Sequence, residues 1–93
     1  MILSFSDAET QRLWQSRRSR RLPSEIVARA LLKLEQLEMA IVLDDLRIPP
    51  SNHLEALVGD RTGQHSIRIN RQWRVCFTWT SAGAAEVAIL DYH

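Results

Sequence analysis

The sequence predicts an α+β domain in which two N-terminal helices pack on one face of a small, mainly antiparallel β-sheet. Three observations lead there. Apolar residues recur at three- and four-residue spacing as far as Ile41 and at two-residue spacing from Leu54 onward, a change from helical to strand period. Pro49-Pro50 falls between the two regimes and excludes both helix and central strand. The 93 residues show no repeat, low-complexity tract or composition break, so residues 1–93 are expected to form one domain around one core.

Each element has its own signal. Ile2, Leu3 and Phe5 make a short apolar opening, and Ser6 with Glu9 three residues later has the spacing of a capping box. A first helix should begin near Asp7, turn Leu13 and Trp14 toward the core, and end before Pro23. Pro23 suits the first turn of a second helix, where its missing amide costs nothing. Ile26, Val27, Ala30, Leu31, Leu34, Leu37 and Ile41 then form one stripe. Residues 44–52 are expected as a loop. Strands follow over Leu54–Leu57, His65–Asn70, Trp73–Thr80 and Ala84–Tyr92, with tight turns at Asn70-Arg71-Gln72 and Ser81-Ala82-Gly83. In the first strand Leu54, Ala56 and Val58 should face inward. In the third, Trp73, Val75, Phe77 and Trp79 should do so, leaving Arg74, Cys76 and Thr78 on the other face.

Composition narrows the class. Hydrophobic residues are 45% and charged residues 25% of the chain, which excludes disordered, collagen-like and disulfide-scaffold proteins. Ser4, Asp7 and Glu9 interrupt the apolar opening, so neither a signal peptide nor a membrane span is expected and the chain reads as cytoplasmic. Cys76 is the single cysteine, too few for an internal disulfide or an unaided zinc site, and is expected in the core.

The net charge of +1 conceals a separation. Arg12, Arg17, Arg18, Arg20, Arg21 and Arg29 stand against Glu25 alone, whereas Glu35 to Asp60 sets six carboxylates against Arg47. Eleven of the twelve basic residues are arginines, the exception being Lys33. Arginine's planar fork holds phosphate bidentately and stacks on bases, so the cluster from Arg17 to Arg21 points to nucleic acid or an acidic partner; a solvated helix face is the alternative.

The polar face of the sheet collects Glu55, Arg68 and Arg74 from neighbouring strands, with Arg74 expected outside the core. Such a face is either a platform for chemistry or simply the wetted side of the sheet. His65 is expected at an edge or facing solvent, and Trp14, Trp73 and Trp79 are expected in the core more than as base-stacking residues.

The chain ends Asp91-Tyr92-His93, and a phenol and an imidazole at the end of a strand have no obvious packing purpose. Together with Leu54-Glu55-Ala56-Leu57-Val58-Gly59-Asp60-Arg61-Thr62-Gly63, Ser66-Ile67-Arg68-Ile69-Asn70 and Trp73-Arg74-Val75-Cys76-Phe77, this ending resembles the HigB branch of the RelE/ParE toxin superfamily. The resemblance runs from Ile2-Leu3-Ser4-Phe5 to the terminus. It implies a RelE-like fold and the toxin of a type II toxin–antitoxin pair, an endoribonuclease that cuts messenger RNA on the translating ribosome and is silenced by an antitoxin. Arg74 matches the basic residue of the family's Trp-Arg motif, and Asp91, Tyr92 and His93 match its terminal positions. One position departs: where the HigB pattern has histidine, this chain has Glu55, and His53 lies two residues earlier. The related YoeB branch uses a glutamate as general base, so either Glu55 or His53 fills that role.

The chemistry agrees with the residue types. Cleavage without a metal or other cofactor needs a base for the 2′-hydroxyl, a cation for the phosphorane and an acid for the leaving 5′-oxygen. Glu55, Arg74 and His93 supply them in that order, and Tyr92 would stack on or orient a base, worth about 1–3 kcal/mol. Arg17, Arg18, Arg20 and Arg21 would grip ribosomal RNA, and Arg68 would contact phosphate, with His53 and Asp91 beside the RNA. The implied partners are a helix-turn-helix antitoxin similar to HigA, the ribosome and its messenger, with operator DNA reached only through the antitoxin complex and no membrane. Two other readings share the fold: a non-enzymatic inhibitor of DNA gyrase like the ParE branch, and a degenerate toxin kept as an antitoxin-binding module.

Overall fold

The structure is a computed structural model and describes residues 1–91. Helix α1 spans Ala8–Ser16 and α2 spans Ser24–Met39. Strands β1 (Glu55–Ala56), β2 (His65–Arg68), β3 (Trp73–Thr80) and β4 (Gly83–Asp91) form one antiparallel sheet in the order β1-β2-β3-β4. The predicted α+β class is therefore the observed one, with the helices on one side of the sheet.

The helix ends differ from expectation in one instructive way. Asp7, not Ser6, caps α1: its Oδ1 accepts from the amide of Thr10 at 2.6 Å, while Glu9 pairs with Arg12 instead of reaching back to close a capping box. Pro23 sits one position before α2, and Ser24 opens it. The stripe Ile26, Ala30, Leu34 and Leu37 is buried as predicted, but Ile41 is 85% exposed. Helix α2 ends at Met39 because Ala40 turns extended and the Asp45 carboxylate takes the amides of Ile41 and Val42 at 2.8 and 3.2 Å. The segment expected as a loop contains two short 3-10 turns, Leu43–Arg47 and Pro50–Asn52.

On β3 the inward residues Val75 and Phe77 are buried as expected, but Arg74 and Cys76 between them are buried too, and on β1 the expected facing fails. Leu57 is buried and Val58 is 84% exposed, the reverse of the expected facing, because the chain leaves the sheet after two residues and turns at Gly59, whose φ of 68° is left-handed. Strand β2 stops at Arg68, since the Asn70 side chain accepts the amides of Gln72 and Trp73 at 2.8 Å each and makes the turn itself. His65, expected at an edge or facing solvent, is half-buried between β1 and β3, with its ring stacked on Phe77.

Beyond β4 the N-terminal segment adds a parallel border through isolated bridges from Ile2 to Ala84 and from Phe5 to Val87. Gly83 permits this approach, since its φ is 143° and a Cβ there would collide with the Met1 carbonyl oxygen. The core lies between the sheet and the helices: Leu13, Leu34 and Leu37 meet Ile67, Val75, Phe77 and Ile89, all essentially inaccessible. Each such side chain contributes about 1.5–3 kcal/mol by leaving water. Trp14, Trp73 and Trp79 pack against this cluster half-buried. The Thr10 hydroxyl accepts the Ile89 amide at 3.0 Å and so fixes α1 to β4.

Candidate active site

The second face of the sheet is not the bare polar surface that alternation suggested. Ser66, Arg74, Cys76 and Ala88 are all buried on it. Arg74, expected outside the core, is 6% exposed. A buried guanidinium is tolerable only when its donors are satisfied, and they are. Nε donates to the Ser66 hydroxyl at 2.7 Å, Nη2 donates to the His53 carbonyl at 2.7 Å, and Nη1 stands 3.1 Å from Glu55 Oε1.

The backbone explains this placement. Glu55 lies opposite Ser66 across β1 and β2, and Arg68 lies opposite Arg74 across β2 and β3, so these four side chains share one face. His53 adopts a left-handed φ of 46° at the end of the second 3-10 turn, which aims its carbonyl at Arg74. Two neutral acceptors thus orient the planar cation, and its remaining edge faces a carboxylate whose side chain is 54% exposed against 8% for Arg74. A fixed cation beside an accessible carboxylate can stabilise charge growing on a phosphoryl oxygen while the carboxylate accepts a proton.

Burial pushes the Cys76 thiol above its ordinary range, against the opposing charges of Arg61 and Arg74. Cys76 is buried as expected, but on this second face and not in the cluster between sheet and helices.

The remaining candidates divide. Asp91 pairs in register with Trp73, one position from Arg74, and accepts from Gln72 Nε2 at 2.9 Å. Arg68 is half-buried on the Arg74 face. His53 precedes β1 and does not join it, so its imidazole is not in strand register with Glu55. Tyr92 and His93 lie outside the described residues. Arg17, Arg18, Arg20 and Arg21 are all exposed around the end of α1. Arg17 stands 4.7 Å over the Trp14 ring and 3.4 Å from Glu35, and Arg21 is 3.5 Å from Asp7.

Ser66 and the polar knot behind His53 escaped sequence reasoning. Lys33 Nζ donates to Asn52 Oδ1 at 2.6 Å, and Asn52 Nδ2 donates to Gln36 Oε1 and the Leu46 carbonyl at 3.0 and 3.1 Å. This ties the loop carrying His53 to α2. The signal was present in Lys33, the lone lysine, set inside an apolar stripe. Among the described residues no group of three or more His, Cys, Asp or Glu could hold a metal ion, and no helix is long and apolar enough to cross a membrane.

Comparison with known proteins identifies the family. A model of the HigB-like toxin family, described as the RelE-like toxin of the type II toxin–antitoxin system HigB, matches residues 3–93. Toxin HigB-1 of Vibrio cholerae serotype O1 is 40% identical over 94 residues, covering 100% of this chain and 98% of the relative. An uncharacterized protein of Haemophilus influenzae is 34% identical over 59 residues, covering 63% of this chain and 58% of its own length.

Proposed function

Because the chain belongs to the RelE-like HigB toxins of type II toxin–antitoxin systems, we propose that it is a ribosome-dependent endoribonuclease that inhibits translation by cutting messenger RNA. Membership implies an antitoxin partner. The observation that carries the enzymatic reading is the buried Arg74, held by Ser66 and His53 with its third edge on Glu55. A sheet face serving only as a docking surface has no need of an arginine desolvated and aimed in this way.

In this reading Glu55 takes the proton of the 2′-hydroxyl as it attacks the adjacent phosphorus. Arg74 stabilises the doubly charged phosphorane, and the 5′-oxygen leaves with a proton from His93. Tyr92 stacks on a neighbouring base. The attacking group belongs to the substrate, so the upstream fragment ends in a 2′,3′-cyclic phosphate and the downstream fragment in a free 5′-hydroxyl. Glu55 is favoured over His53 as base because its carboxylate faces Arg74, whereas His53 offers Arg74 its backbone carbonyl.

The protein would work in the cytoplasm, on the ribosome, restrained by a helix-turn-helix antitoxin similar to HigA. Mapping fragment ends on ribosome-bound messenger tests this reading. Cyclic phosphate ends that appear only with the toxin support it; intact messenger together with inhibited DNA gyrase would replace it with the ParE-like reading.

A further inference from the structure

We propose that the cavity between α2 and the β2–β3 turn is a subsite for a phosphate of the messenger backbone, adjoining the Glu55–Arg74 pair. The inference rests on the endoribonuclease reading and extends it to Arg29, Lys33 and Arg71. The cavity has a volume of about 620 Å³ and receives Arg29 and Lys33 from α2, His53 from the loop, and Arg68 and Arg71 from the strand end and turn. Among the described residues lining it there is no carboxylate.

This concentration of positive charge is not neutralised from within. Arg68 Nε is buried and has no hydrogen-bond partner among the described residues. Among the described residues Arg29 donates to the Ile69 carbonyl, at 3.5 Å, and Lys33 donates to the neutral Asn52 amide oxygen. Burial, and then the charge of Arg29, holds the Lys33 ammonium below the usual lysine range. A buried guanidinium N–H left without an acceptor is costly, and an arriving anion removes that cost by supplying both charge and acceptor oxygens. The Arg17–Arg21 cluster differs, since Arg17 and Arg21 already face Glu35 and Asp7.

Continuity with the candidate active site identifies the anion. Arg68 is the register partner of Arg74, and His53 lines the cavity while its carbonyl fixes Arg74. A phosphodiester chain reacting at Arg74 therefore has its next phosphate within reach of Arg68, where Arg29 and Arg71 add two exposed cations.

The test uses the whole chain and a 2′-O-methyl RNA trinucleotide, which lacks the attacking hydroxyl. Followed by backbone amide resonances, binding should shift residues 68–72 and Ser51 to His53 saturably. The Arg29→Gln/Arg71→Gln variant, altered only at exposed side chains, should keep its remaining spectrum. It should bind at least about tenfold more weakly, with the salt slope reduced by about 1.4. On ribosomes it should need a higher toxin concentration for half-maximal cleavage while the maximal rate is kept. Absence of shifts at the cavity, or a variant with wild-type affinity and slope, overturns the subsite and leaves the ribonuclease reading standing. Cavity shifts with the expected slope, alongside uncut ribosome-bound messenger, uphold the subsite as an RNA site and overturn the ribonuclease reading.

Discussion

Arg74 Nε donates to the hydroxyl of Ser66 at 2.7 Å, and both residues are buried, so the orientation of the guanidinium is set by a side chain on the neighbouring strand. Ser66→Ala should leave a buried donor unsatisfied and cost about 1–3 kcal/mol of stability. It should also slow messenger cleavage by about ten- to a hundredfold, because the cation loses its alignment. Denaturant unfolding and cleavage rates on ribosomes measure the two effects; a variant destabilised but fully active would make Ser66 a packing residue only.

Glu55→Gln and His53→Gln separate the two candidate bases. Removing a positioned base costs about 10²–10⁴ in rate, and that loss should fall on Glu55. His53→Gln keeps the carbonyl that holds Arg74 and should cost much less. A larger loss at His53, measured by single-turnover cleavage, reassigns the base.

Within the basic cluster the four arginines should not act alike. Arg17 already stacks on Trp14 beside Glu35 and Arg21 lies near Asp7, so reversing them should chiefly disturb α1 packing. Charge reversal at Arg18 and Arg20 should weaken ribosome association with a steep dependence on salt. Equal ribosome affinity for wild type and the Arg18→Glu/Arg20→Glu variant across ionic strength would show that this stretch is only a solvated surface.

Acid should expose the turn after α2. The amides of Ile41 and then Val42 hold the Asp45 carboxyl below the usual carboxylate range. Folding lowers this pKa, so its stabilisation is complete above the ordinary carboxylate value and is lost as pH falls through the lowered one. Wild type should be more stable than Asp45→Asn at neutral pH, with the gap closing as pH falls below the ordinary carboxylate range. A gap independent of pH, in denaturant titrations, contradicts this role for Asp45.

How much of this was legible in the sequence varied with the physical source of each feature. The period change after Pro50 and the stripe from Ile26 to Leu37 located the helices and the sheet because side-chain spacing encodes them directly. Ile41 and Val58 were misplaced because the Asp45 turn and the left-handed Gly59 end their elements, and periodicity cannot see chain ends set by side-chain caps. Arg74 and Glu55 were found by motif, but alternation put Arg74 in water. Its burial depends on Ser66 and on a backbone carbonyl brought up by the loop at His53, and such long-range partners leave no local spacing signal. The cavity was hidden for the same reason: Arg29, Lys33, Arg68 and Arg71 belong to different elements and converge only in the fold.

Single-turnover cleavage of a defined messenger on programmed ribosomes, comparing wild type with Arg74→Ala, tests the catalytic role of the buried arginine most directly. The expected result is a rate lower by at least about 10² for the variant, with antitoxin binding retained and wild-type fragments ending in 2′,3′-cyclic phosphate. A folded Arg74→Ala protein that cuts ribosome-bound messenger at the wild-type rate would contradict it.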